Sequence, residues 1–162
     1  MRKHLKRELR KLWTGEIAAT AMFWFCYSQL AKLGMGACLM RSATYPLIVL
    51  SLILIQGASY WWILYMRLVT DRSCARKAGR VYGVLRTIDL VLLCFGIPVA
   101  VVTHGCRLTT TIGILILLFA FIEWVNYYKI QLSYSSNPFV LLKRIKEGTL
   151  KKSKLAQEID NG

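Results

Sequence analysis

Four apolar runs, at residues 17–33, 45–68, 81–103 and 110–132, leave this chain few ways to fold. A hydrocarbon core about 30 Å thick is crossed by about 20 apolar residues in a helix rising 1.5 Å per residue. Inside that core only helices and closed barrels satisfy their own backbone. The runs are long and continuous, so they read as helices. Composition points the same way: 56% of residues are apolar and mean hydropathy is +0.44. The sequence therefore predicts an all-α, polytopic membrane protein with four transmembrane helices in one bundle over residues 15–134. A basic cytoplasmic amphipathic segment at 1–14 and a basic cytoplasmic helical tail at 135–162 flank it.

Orientation follows from where the positive charge falls. Lys and Arg number 22 against 8 Asp and Glu, for a formal charge of +14. Arg2, Lys3, Lys6, Arg7, Arg10 and Lys11 precede the first run. Arg67, Arg72, Arg76, Lys77 and Arg80 surround the middle connection, and a further group follows from Lys129 onward. Lys32, Arg41 and Arg107 are the cations near the other two connections. Short loops rich in Lys and Arg stay on the cytoplasmic side, so both termini and the middle loop are placed inside a cell membrane. The same charge implies attraction to anionic lipid headgroups. It carries no helix-turn-helix, zinc-finger or ribonucleoprotein pattern, which argues against a nucleic-acid partner.

Local signals refine the runs. Leu5, Leu9 and Leu12 recur at helical spacing among the N-terminal cations, the pattern of a helix lying on a membrane surface. The first run is expected to stay as a helix, without cleavage as a leader. Pro46 suits the first turn of the second span, and Pro98 should bend the third. Asn137 and Pro138 open a tail helix expected to end at Gly148, with a second short helix using Leu150, Leu155 and Ile159. Gln56 in the second span, with Asn126 and Gln131 near the end of the fourth, are expected to pack helices together through amide hydrogen bonds.

Three charges fall inside the apolar runs: Arg86 and Asp89 in the third, Glu123 in the fourth. A charge in hydrocarbon costs several kcal/mol unless it reaches water or a partner. The third helix runs outward and the fourth inward, so all three sit in the cytoplasmic half. The expected arrangement is a cluster in which Arg86 bridges Asp89 and Glu123. Glu16, beside Gly15, reads as a boundary residue outside that cluster.

Catalytic signatures are absent. There is no GxSxG, no HExxH and no phosphate-cradling glycine loop, and His4 and His104 lack suitable neighbours. Cys26, Cys38, Cys74, Cys94 and Cys106 form no CxxC, so neither a zinc site nor the thiol chemistry of disulfide-forming membrane enzymes is encoded. Cys38 and Cys106 would share the outer side, where a disulfide needs their Cα atoms within about 7 Å. No catalytic residue, metal ligand or cofactor is expected.

The segment from Glu123 to Ile159, EWVNYYKIQLSYSSNPFVLLKRIKEGTLKKSKLAQEI, resembles the C-terminal signature of small uncharacterised bacterial membrane proteins with four helices. Glu123, Asn126, Tyr127 and Gln131 carry the likeness, together with the Lys-x-x-Leu-Ala-x-x-Ile end of the tail. The resemblance implies a bacterial cytoplasmic membrane and no particular activity. The function expected is a non-enzymatic accessory or regulatory one, exercised through lipid, a second copy of the chain or another membrane protein. The alternative is an oligomeric proton- or cation-coupled transporter or channel using Glu123 and Asp89.

Overall fold

The computed structural model describes residues 2–70, 78–102, 107–129 and 153–160. Those residues are almost entirely helical. Helix α1 runs Arg2–Leu30, α2 Gly36–Ser42, α3 Thr44–Thr70, α4 Ala78–Val102, α5 Arg107–Tyr128 and α6 Lys154–Asp160. The all-α architecture is as the sequence predicts. Three helices, α3, α4 and α5, are long and apolar enough to cross a membrane. The tail segment 137–147, Gln131 and Cys106 lie outside the described residues.

The basic segment and the first apolar run form one helix of 29 residues, where the sequence suggested a surface helix followed by a span. Gly15 does not break it. Thr14 folds its hydroxyl back onto the Arg10 carbonyl at 2.7 Å, and Thr20 does the same to Glu16 at 2.9 Å, so neither side chain competes with the helix. Leu9 is buried in the protein core, and Trp13 meets Trp62 edge-on at 4.9 Å. The apolar face of the basic segment therefore packs on protein. Its Leu5 remains exposed.

At the far end the chain kinks within Ala31–Met35, where Leu33 and Gly34 leave the helical backbone and Gly34 adopts φ 86°. A residue with a Cβ resists that left-handed backbone, so glycine makes the reversal at little cost. Helix α2 then leads into α3, which begins in the turn that accommodates Pro46. The α1–α3 pair is tied twice near this end. Tyr27 and Thr44 share a hydroxyl–hydroxyl bond of 2.7 Å, and the Trp24 indole donates to Ser51 Oγ at 3.0 Å.

Helix α3 is the central post, against which α1, α4 and α5 pack. Half of its most apolar window is buried, 50% against 22% for α4 and for α5. Val49, Leu50, Ile53 and Leu54 from α3 meet Leu93 of α4 and Ala120 of α5 in the core. Helix α5 comes close at Gly57, where a Cβ would overlap the Tyr127 ring. The outer faces of α4 and α5 remain open and apolar, including Ile88, Val91, Phe95, Leu115, Leu118 and Ile122. In water such a surface would drive aggregation; facing acyl chains it is the surface expected of a span.

Helix α6 docks on the ends of α4 and α5. Leu155 and Ala156 are buried, and Ile159 reaches Gly83. Ser153 fixes the join with both ends of its hydroxyl. It accepts from the Ala156 amide at 2.9 Å, capping α6, and donates to the Tyr127 carbonyl, one of the last-turn acceptors that α5 leaves unpaired. The Ser153 amide adds a bond to the Lys129 carbonyl at 3.2 Å. The two halves of the C-terminal signature are thus neighbours in space.

Candidate functional site

The polar interior begins at Gln56, halfway along α3. Its side-chain amide donates to Asp89 Oδ1 on α4 at 2.9 Å, and its carbonyl oxygen accepts from the Tyr128 hydroxyl on α5 at 2.8 Å. One side chain therefore joins three helices, using both ends of its amide. Its backbone carbonyl is used as well, accepting from Ser59 at 2.7 Å and from Tyr82 at 3.4 Å. Ser59 and Tyr82 are themselves 2.7 Å apart. Asp89 is 1% exposed, and its second oxygen, Oδ2, is buried without a hydrogen-bond partner.

The Arg86 side chain acts on this group only at a distance, through its charge on Tyr128. It is exposed on α4, and among the described residues no ion pair links it to Asp89 or Glu123. A step of three residues turns a helix by about 60° from superposition, enough to send Arg86 to the outer surface while Asp89 faces inward. Its backbone carbonyl accepts instead from the Trp124 indole at 3.1 Å, which is the α4–α5 tie at this level. The amide of Gln56 fills the position next to Asp89 that the sequence suggested for the guanidinium.

Glu123 belongs to a second group. It is half-buried and accepts from Asn126 Nδ2 on its own helix at 3.2 Å. Tyr127, one turn further on, lies over Gly57 and is 5% exposed. Its hydroxyl is buried, lies beside the Glu16 carboxylate of α1 and closes no hydrogen bond of normal geometry. Glu123 stands one turn before Tyr127, so the two share a side of α5. Neighbouring residues on α5 point about 100° apart, so Tyr127 serves the α1 side and Tyr128 the α4 side. The acids therefore divide into Asp89 with Gln56 and Tyr128, and Glu123 with Asn126, Tyr127 and Glu16.

Glu16 is the residue sequence reasoning left out. A glutamate one turn from the end of a basic segment looks solvated, and nothing in the chain says that α1 continues unbroken past it against α5. Its spacing from Trp13 and Thr20, three and four residues away, was the available signal for a shared face. Among the other expected residues, Cys38 lies in α2, and its pairing with Cys106 falls outside the described residues. Cys26 and Cys94 are free thiols on the exposed surface.

Chemically, the first group is a set of hydrogen bonds between helices that leaves Asp89 Oδ2 unpaired. Two grooves on the described surface are walled by apolar side chains. One of about 300 Å³ between α4 and α5 is lined by Leu90, Leu93, Cys94, Ile97, Leu117 and Phe121, among others. A second, lined by Trp13, Ile17, Ile55, Ala58, Ser59 and Trp62, opens between α1 and α3. Among the described residues no three His, Cys, Asp or Glu side chains come together as metal ligands would. Comparison with protein-family models, with curated proteins and with solved structures finds no match.

Proposed function

We propose that this chain is a four-span protein of a cell membrane, with both termini cytoplasmic, acting without catalysis as an accessory or regulatory partner of other membrane components. The observation that carries the reading is the division of labour across the bundle. Gln56 and Tyr128 are committed to holding helices together, while the long apolar faces of α4 and α5, with the groove between them, are left uncovered. In a bilayer that surface is available to acyl chains or to another helix. Helix α1 supplies the fourth crossing on this reading. Its apolar part packs along α3 across the bundle, and its cationic start lies at the same end as α6, matched to an anionic inner leaflet. The resemblance to small bacterial membrane proteins fits the setting.

The test is site-specific photo-crosslinking in cells, with a benzophenone side chain replacing Ile97 in the groove. A discrete protein adduct, retained in the full chain and reduced when residues 153–162 are removed, supports an accessory role. Adducts to lipid alone would contradict it.

A further inference from the structure

We propose that the α4–α5 seam binds one anionic phospholipid, its phosphate held between Arg86 and Lys129 and an acyl chain lying in the groove of about 300 Å³ beyond them. Arg86 is exposed, stands inside a membrane-length apolar helix and, among the described residues, has no carboxylate partner. A cation at that depth needs water or a counter-charge within reach. Leu90, Leu93 and Ile97 follow it by four, seven and eleven residues, so they share its stripe of α4, and all three line the groove. Arg86 is therefore at one end of the groove, about 16 Å along the helix from Ile97. Helix α5 marks the same end. Phe121, which lines the groove, stacks on Trp124 at 6.1 Å; the Trp124 indole donates to the Arg86 carbonyl at 3.1 Å; and Lys129 Nζ stands 5.8 Å from the centre of the Trp124 ring. The two cations thus stem from positions that touch one tryptophan, where the apolar lining stops. Tryptophan at headgroup depth with basic side chains between helices is the chemistry that recognises a lipid phosphate.

The surroundings select an anion with a long apolar tail. Asp89 is buried toward Gln56 on α3, and Glu123, two residues after Phe121, is turned about 160° from it, so neither acid faces the lining. The side chains that line the groove, Cys94 and Leu118 among them, carry no oxygen or nitrogen to hold a soluble anion deeper. A free phosphate would leave that lining unused, whereas a lipid uses both ends of the site. The inference rests on the membrane setting proposed above and not on a protein partner. A lipid chain in the groove and a helix laid across it are compatible, and the purified chain tests the first while the Ile97 adduct in cells tests the second.

The test is native mass spectrometry of the purified full chain in detergent, titrated with phosphatidylglycerol and with phosphatidylcholine of the same acyl chains. A single phosphatidylglycerol is expected to bind about tenfold or more tighter than phosphatidylcholine. Arg86→Gln and Lys129→Gln, both at exposed side chains, should each weaken it by about fivefold, the effect of one cation at a membrane surface, and leave phosphatidylcholine unmoved. Arg10→Gln, at an exposed cation on α1 away from the groove, should change neither. Cys94→Trp fills the groove and should weaken both lipids alike; where that variant does not fold, weak binding of dihexanoyl-phosphatidylglycerol to the unaltered chain makes the same point. Equal binding of the two headgroups would overturn the site, as would a loss in Arg86→Gln no greater than in Arg10→Gln. Displacement of the long-chain lipid by inorganic phosphate, with short-chain binding undiminished, would assign the cations to a soluble anion and overturn it too.

Discussion

Gln56 does for Asp89 what an arginine was expected to do, and the difference is measurable. A buried carboxylate with a neutral amide donor relies on a hydrogen bond whose loss leaves two groups unpaired, Asp89 Oδ1 and the Tyr128 hydroxyl. Gln56→Leu should cost about 1–3 kcal/mol, the penalty for stranding buried polar atoms. Tyr128→Phe removes one bond and should cost nearer to about 0.6 kcal/mol, as intramembrane hydrogen bonds do on average. Arg86→Gln, at an exposed side chain, should change stability by less than about 0.5 kcal/mol. Reversible unfolding in mixed micelles ranks the three, and a larger loss from Arg86→Gln than from Gln56→Leu would restore the arginine-centred cluster. At this scale the sequence was informative about which residues are polar at depth. It was silent on which of them meet, because three residues along α4 separate Arg86 from Asp89 by an angle that only the packed bundle converts into inside and outside.

Between elements, the closest joins depend on what a residue lacks or caps. Gly57→Ala places a methyl group against the Tyr127 ring and should destabilise the α3–α5 contact by about 1–3 kcal/mol, the usual cost of overpacking. Tyr127→Ala on that background should recover part of the loss; independent, additive effects would show that the two do not touch. Ser153→Ala removes the cap of α6 and the donor to the Tyr127 carbonyl together, with an expected loss of about 1 kcal/mol or more. Because α6 is short, that loss should appear locally, as faster amide exchange at Leu155 and Ala156 with exchange in α3 unchanged. Helix existence is legible from the apolar runs, and Leu155 and Ile159 lie in the short tail helix that the spacing predicts, while Leu150 lies outside the described residues. Helix pairing was not legible. A run that is apolar all round, like α5, has no stripe to say which neighbour it faces. The continuity of α1 also went unread, since Gly15 and a change from basic to apolar composition imitate a boundary.

Across the described residues, the bundle is built around α3, with Asp89 of α4 and the tyrosines of α4 and α5 buried beside it and apolar faces turned out. That arrangement, the cationic start of α1 and the docked α6 belong to one proposed topology, in which four crossings return the chain to the side on which it began. The role of α1 decides it: α3, α4 and α5 alone make three crossings, and the start of the chain then lies opposite its tail. Single cysteines at Lys11, Leu33 and Gln157, in a chain whose five native cysteines are replaced by alanine, separate the two cases through labelling of intact cells with an impermeant maleimide. The account predicts labelling at Leu33 and protection at both Lys11 and Gln157 until the membrane is opened. Labelling of Lys11 from outside, with Gln157 protected, would contradict it.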